Sequence, residues 1–283
     1  MDKTVKIWDE SAYKLVSTYN DTCAIRALGL VNDSIIAVGT LCGEVRLLDV
    51  NSMSLISSFV SYSSVSISGL KMLRSNFLVV CGFNGGSFKI WNLTTITNPL
   101  LNSSILEGSN MFALEIIDND TVAIGVGIFR ISIWKISTST RIKTLSTGVI
   151  MNSLIYLKTY GLLLSSGVNY FKIWDTTTWT ENSFYSFPYS SSNFTKINDY
   201  SIFFTTSNTL YSFNLRTNKT TRLTTTGTYY SIAAVTNDLV VVSNQLNSLV
   251  FFNISKTAVI TNSIISAHSN SINAILSIPS NSI

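Results

Sequence analysis

An all-β array of seven four-stranded antiparallel units is the fold this sequence predicts, and three observations predict it. Seven short apolar segments end on a large side chain at nearly even spacing. The anchors are Trp8, Leu48, Trp91, Trp134, Trp174, Phe213 and Phe252, at intervals of 40, 43, 43, 40, 39 and 39 residues. A turn rich in Asn, Asp, Ser and Gly recurs inside each unit: Asn32-Asp33, Ser75-Asn76, Asn119-Asp120, Thr159-Tyr160-Gly161, Asn198-Asp199, Asn237-Asp238 and Ser280-Asn281. Alternation with β-branched residues runs throughout, Pro occurs only 3 times, and no stretch carries the periodicity of a long amphipathic helix. A steady period makes the chain an array of one supersecondary unit, and four strands repeating at about 40 to 45 residues describe a β-propeller.

Each unit reads as strands a, b, c and d in chain order, outward from the centre. Asn, Asp, Ser and Gly tolerate left-handed backbone or bond their own chain, which suits the a–b turn. Strand b follows and is the most apolar, as a strand covered on both faces must be; examples are Ile35-Ile36-Ala37-Val38, Phe77-Leu78-Val79-Val80, Leu162-Leu163-Leu164 and Leu239-Val240-Val241-Val242. Strand c ends on the anchor and strand d is more polar. In the second unit the four strands fall near 24–31, 34–40, 44–48 and 53–60, and the next five units start near 67, 111, 151, 192 and 229. Blades are therefore expected at 24–60, 67–106, 111–147, 151–187, 192–226 and 229–266, within one domain spanning 1–283.

Residues 272–278 have the pattern of a strand a, and 5–9 and 12–19 that of strands c and d. The seventh, closing blade is thus expected from both termini, 272–283 plus 1–19. Aligned with its siblings, this blade lacks about five residues of strand b, a gap on the order of 20 Å between Ile283 and Met1 at roughly 3.3 Å per residue. The expectation is an incomplete blade in an excerpt of a longer repeat protein.

The peptides Lys3-Thr4-Val5-Lys6-Ile7-Trp8-Asp9, Ser87-Phe88-Lys89-Ile90-Trp91-Asn92 and Phe171-Lys172-Ile173-Trp174-Asp175 resemble the terminal strand of the WD40 repeat, and the resemblance covers the whole chain. It implies a seven-bladed WD40-like β-propeller. Repeats of that family often hold a His before strand a, a Ser or Thr on strand b and an Asp in the b–c turn, hydrogen-bonded toward the Trp. Here the position six before the anchor is Asp2, Cys42, Gly85, Ile128, Val168, Ser207 and Leu246, so only the first unit keeps the acid. The single His, His268, stands before residues 272–276. The resemblance implies that His268, Asp2 and Trp8 share one closing site, and that the other six blades lack the bonded set and rely on apolar packing.

Composition narrows the function. Apolar residues are 46% and charged ones 12%, enough to build a large core and too ordered a composition for a disordered chain. Mean hydropathy is +0.33, yet no apolar run approaches the roughly 20 residues of a spanning helix. The N-terminus has no basic and apolar leader pattern, so a cytoplasmic or nuclear, intracellular location is expected, with no membrane contact. Cys23, Cys42 and Cys81 are odd in number with no Cys-x-x-Cys, which suits reduced, buried thiols. Asn-x-Ser/Thr sequons such as Asn92-Leu93-Thr94 and Asn193-Phe194-Thr195 arise by chance in a chain so rich in these residues. The net charge of +4 is scattered; Lys6, Arg46, Lys89 and Lys172 recur two residues before an anchor as repeat features, their stems along the strand and their charges in water. No nucleic-acid groove is indicated.

No catalytic constellation is legible. One His nearly excludes imidazole ligation, the three Cys lie in unrelated elements, and the carboxylates are dispersed, so no metal, no cofactor and no catalytic residue is expected. Gly82-Phe83-Asn84-Gly85-Gly86-Ser87 opens no helix and reads as a tight b–c turn. The expected function is a non-catalytic scaffold that binds protein or peptide partners through its d–a and b–c loops, the end that the family resemblance implicates. The residues there are Arg26, Tyr62, Phe83, Asn84, Phe112, Arg130, Met151, Asn169, Phe194, Tyr229, Tyr230 and Gln245; aromatic and Arg side chains concentrate binding energy at interfaces. Two alternatives stay open: a propeller hydrolase or lyase with a channel-centred site, and the C-terminal recognition part of a larger regulatory protein such as a ubiquitin-ligase receptor.

Overall fold

The computed structural model describes the chain outside residues 1, 128, 168, 187–190, 207–208, 225–227, 255–259, 267, 269–270 and 279–283, and outside the side chains of 191–192 and 260–266. Among the described residues the sheets are propeller blades: six four-stranded antiparallel meanders and one two-stranded sheet. They fall into two compact units.

The unit of Lys3–Ile150 and Ile278–Ile283 begins with β1 (Thr4–Asp9) and β2 (Lys14–Asn20), which pair with each other. Its three blades are β3 (Ile25–Asn32), β4 (Ile35–Thr40), β5 (Glu44–Asp49) and β6 (Leu55–Val60); β7 (Ile67–Arg74), β8 (Phe77–Gly82), β9 (Ser87–Asn92) and β10 (Leu100–Leu106); and β11 (Met111–Ile116), β12 (Thr121–Val126), β13 (Arg130–Lys135) and β14 (Thr140–Ser146). The unit of Met1–Asp2 and Met151–Ser277 holds three more. These are β15 (Met151–Leu157), β16 (Leu162–Gly167), β17 (Tyr170–Asp175) and β18 (Thr180–Ser186); β19 (Ser191–Asn198), β20 (Ser201–Thr206), β21 (Leu210–Asn214) and β22 (Lys219–Arg222); and β23 (Tyr229–Ala234), β24 (Leu239–Asn244), β25 (Ser248–Asn253) and β26 (Ile260–Ser266).

The anchors occupy one register. In the six blades they lie opposite the second residue of strand b: Ile36↔Leu48, Leu78↔Trp91, Val122↔Trp134, Leu163↔Trp174, Ile202↔Phe213 and Val240↔Phe252. Just before the anchor the c–d ladder shifts by one residue in five of these blades and also in the β1–β2 pair, between Ile7 and Trp8. Such a bulge bends the outer strand and re-aims the anchor inward. The residue after the anchor then closes the c–d turn: the side chains of Asp9, Asp49, Asn92, Asp175 and Asn214 accept bonds of 2.7–2.9 Å from main-chain N–H groups two or three residues on. This is why an acid or amide follows the anchor.

Burial follows strand position. Five of the b strands are buried after their first residue and β24 is buried throughout, while the d strands face water with Leu100, Leu106 and Phe184 exposed. Core lies between neighbouring blades of each unit, for example Ala37, Leu47, Leu70, Val80 and Trp91, or Ile155, Phe171, Phe194, Phe204 and Phe213. Gly29 is needed there, because a Cβ would come within 2.8 Å of the Leu70 carbonyl oxygen.

Two expectations are corrected. Residues 271–278 form no strand, since no described strand pairs with them in a ladder; Ile272 is held instead by the Ser243 hydroxyl, which donates to its carbonyl oxygen at 3.3 Å. Of the closing blade expected from 272–283 plus 1–19, the described residues give the two-stranded β1–β2 sheet; Ser280-Asn281 and Ile283 lie outside them. Cys23 and Cys42 are joined in a disulfide with Cα atoms 6.2 Å apart, leaving Cys81 as a buried thiol. Spacing along the chain hid this pair, because the blade brings the d–a loop beside the b–c turn. Among the described residues, no helix is long and apolar enough to cross a membrane.

Candidate interaction face at the loop ends

Every fully described strand a begins with an irregularity. The a–b ladder shifts between Ile25 and Ala27, Ile67 and Gly69, Met111 and Ala113, Met151 and Ser153, and Tyr229 and Ser231. The skipped residues are Arg26, Ser68, Phe112, Asn152 and Tyr230. A bulge turns the side chain of its extra residue off the regular face; the Ser68 hydroxyl is taken up by the Cys81 carbonyl at 3.3 Å, while Arg26, Phe112 and Tyr230 stand at the loop ends of their strands.

The b–c turns deliver a second set. Gly43, Gly86, Phe129, Asn169 and Asn247 all have positive φ, at 88°, 60°, 58°, 67° and 59°. Gly and Asn suit that conformation, whereas a side chain such as Phe is held there at a cost of about 1–2 kcal/mol. Phe129 nevertheless occupies it, 51% exposed.

In the Lys3–Ile150 unit these sets meet. The Arg26 guanidinium carbon lies 5.1 Å from the centroid of the Phe83 ring, and Phe83 stacks edge-to-face on Phe112 at 4.9 Å. Phe112 in turn lies over the turn that carries Phe129; a Cβ on Gly127 would meet its ring at 2.8 Å. Arg26, Phe83 and Phe112 are half-buried and Asn84 is exposed beside them. In the other unit Asn169, Tyr230 and Gln245 are exposed.

Four residues expected at this face are buried. The Tyr62 hydroxyl lies 3.0 Å from the Val80 carbonyl oxygen and 2.6 Å from that of Ser87, and burial pushes its pKa up. Met151 is fully enclosed, Phe194 packs edge-to-face on Phe171 and Phe204, and Tyr229 on Phe252. Their large apolar surfaces close the blade ends and are not free for a partner.

Beneath the face runs a set of bonds that sequence reasoning missed. Glu107, whose side chain is fully buried, accepts from the Arg130 guanidinium (2.6 Å), the Ser132 hydroxyl (2.8 Å) and the Trp134 indole N–H (2.6 Å), with Arg141 at 3.5 Å. In the preceding blade Trp91 donates to the Ser61 hydroxyl oxygen at 3.1 Å while Lys89 donates to the Ser61 carbonyl. One blade earlier Arg46 pairs with Asp21 at 3.1 Å and also with Glu44. Burial pushes Asp21 up, but the Cys23 N–H and Arg46 outweigh it and hold the carboxyl below its usual range. The expectation that these blades rely on packing alone is therefore corrected, as is the placing of the recurrent cations in water: Arg46, Lys89 and Lys172, the last on Glu181 at 2.8 Å, are bonded. Asp21 and Glu107 stand 27 residues before Leu48 and Trp134, a spacing that could have been found.

His268 and Asp2 are joined through Nδ1 and Oδ2, both nearly buried, within the Met151–Ser277 unit. Trp8 belongs to the other unit, where its indole nitrogen is buried with no acceptor among the described residues. Trp174 donates at 2.8 Å to Ser165 on strand b. Among the described residues, no three His, Cys, Asp or Glu side chains gather in a way that could hold a metal ion. No protein-family model matches the sequence, and no curated protein matches it.

Proposed function

We propose that the chain is a non-catalytic, WD40-like repeat scaffold whose d–a and b–c loops hold protein or peptide partners. The observation that carries this is the pairing of two recurrent devices, a bulge opening strand a and a left-handed residue in the b–c turn, which deliver Arg26, Phe112 and Phe129 to the loop end. Loops held on rigid four-stranded sheets bind at little ordering cost. The β1–β2 sheet is read as the outer half of a seventh blade, since it repeats the bulge before Trp8, the Asp9 turn and the left-handed Tyr13 that its siblings show at Met53, Ser139 and Trp179. Asp2 with His268 supplies the one acid–imidazole clasp of the WD40 kind.

The test is affinity capture of partners with the intact chain, repeated with Phe83→Ala and Phe129→Asn. Loss of the captured proteins with an unchanged unfolding midpoint supports the platform; undiminished capture rejects this face. The cytoplasmic or nuclear residence belongs to the same proposal and requires Cys23 and Cys42 to be reduced in the cell, because disulfides persist in oxidising compartments. Thiol trapping in living cells decides it.

A further inference from the structure

Among the described residues, the loop end of the Lys3–Ile150 unit carries two cations without an ion pair, the exposed Lys3, whose carbonyl accepts from the Asp21 N–H, and Arg26. Its carboxylates are engaged: Asp21 and Glu44 with Arg46, and Glu107 with Arg130. Arg26 has no carboxylate within ion-pair distance among the described residues, and its guanidinium lies instead against Phe83. From Arg26 the surface continues through Phe83 to Phe112, whose ring lies against Gly127, two residues before the exposed Phe129. The steps of 5.1 and 4.9 Å put Phe112 no more than about 10 Å from the Arg26 guanidinium, within the reach of three residues of extended chain at ~3.3 Å each.

Resting on the scaffold reading above, we infer that this surface takes an extended peptide bearing a carboxylate and, two or three residues away, a bulky apolar side chain. Arg26 receives the carboxylate, since a guanidinium is a planar fork matched to it. Phe83, Phe112 and the exposed Phe129 receive the apolar group. Phe129 is the second, independent observation: the turn requires left-handed backbone, sibling turns meet it with Gly or Asn, and a bulky ring is kept here at a cost in strain. A single-stranded nucleic acid fits less well. Phe83 and Phe112 meet at 82°, edge to face, which leaves no run of parallel ring faces for stacked bases, and Lys3 and Arg26 alone are not a phosphate track.

The experiment is fluorescence anisotropy on the full chain with four labelled probes: peptides of pattern Asp-x-Phe, Lys-x-Phe and Asp-x-Ser in a Gly-Ser frame, and an oligouridylate. The expected result is tightest binding of Asp-x-Phe, weakening with salt. Arg26→Ala should lose about tenfold and erase the preference for Asp over Lys. Phe129→Asn should also lose about tenfold while its unfolding midpoint stays equal or rises, which no merely structural role would produce. Equal affinity for Lys-x-Phe, tighter binding of the oligouridylate, or unchanged affinity in Phe129→Asn overturns the inference. If another peptide class binds and Phe83→Ala abolishes it, the scaffold reading stands and the acidic class falls; if no peptide binds at any concentration, both fall.

Discussion

Replacing Glu107 by Ala should be among the most damaging single changes in the Lys3–Ile150 unit. The carboxylate is fully buried and serves three donors on β13, the Arg130 guanidinium, the Ser132 hydroxyl and the Trp134 indole, at 2.6, 2.8 and 2.6 Å. Ser132 and the Trp134 N–H are themselves buried, and a buried donor stripped of its acceptor costs ~1–3 kcal/mol. Arg130 retains partial access to water at 21% side-chain exposure, so its loss is smaller. The sum is about 3–5 kcal/mol, the range found when one partner of a buried charge pair is removed. Glu181→Ala is the matched control: its pair with Lys172 is 41% exposed on the acid side and contributes ~0.2–1 kcal/mol. Urea unfolding should show a lower midpoint with unchanged slope for Glu107→Ala, and almost no shift for Glu181→Ala. Glu107→Gln keeps an acceptor for Trp134 and should fall between them. A loss below about 1 kcal/mol in Glu107→Ala, or one equal to the control, refutes the claim that this carboxylate organises the blade.

Two further outcomes follow from the loop chemistry. Unfolded without reductant, the chain should alkylate at Cys81 alone, and Cys42→Ser should lose about 3 kcal/mol by the loop-entropy relation for a loop of this size; labelling of all three cysteines would remove the disulfide. The Thr177 hydroxyl and the N–H groups of Thr178 and Thr177 hold Asp175 down at about 2, from an ordinary 3.8. A depressed carboxylate contributes stability above its unfolded pKa and loses it as pH falls through the folded one, so Asp175→Asn should flatten the acid limb of the stability curve between those two values; parallel curves for the two proteins would count against the turn's role.

The repeat was legible because the anchors recur by type: strand starts at 67, 111, 151 and 229 coincide with β7, β11, β15 and β23, and strand b was marked by its apolar runs. What escaped notice depends on pairs separated by a whole strand or more. Asp21 reaches Arg46, Glu107 reaches Trp134, and Cys23 reaches Cys42, each between a d–a loop and the strand c or turn that the blade folds beside it. Of the residues expected at the loop ends, Arg26, Phe83 and Phe112 do adjoin one another, but Tyr62, Met151, Phe194 and Tyr229 have the same character and are buried, because apolarity alone cannot tell a surface residue from a plug. Phe129 was missed because its signal is backbone φ, which residue type does not announce.

The anchors explain how such unequal repeats keep one geometry. An indole brings an N–H into the interior that must find an acceptor, and the acceptor's source is free to vary: Ser61 and Glu107 in d–a loops, Ser165 on strand b. Leu48, Phe213 and Phe252 bring no donor and need no acceptor; the Asp21–Arg46 pair in the Leu48 blade serves the strand c cation instead. Trp8 is the exception, since its indole nitrogen is buried with no acceptor among the described residues, in the sheet that has only two strands. Substitution by Phe should therefore rank the anchors. Trp8→Phe removes an unmet donor worth ~1–3 kcal/mol, which offsets the smaller ring and leaves stability within about 1 kcal/mol of the parent. Trp91→Phe and Trp174→Phe free a serine hydroxyl that can turn to another acceptor, and should cost about 1–2 kcal/mol. Trp134→Phe leaves a buried carboxylate oxygen without its 2.6 Å donor and should cost the most, about 2–4 kcal/mol. Unfolding midpoints of the four variants test the order, and a Trp8→Phe loss as large as that of Trp134→Phe would show that ring volume, not the fate of the N–H, decides what an anchor contributes.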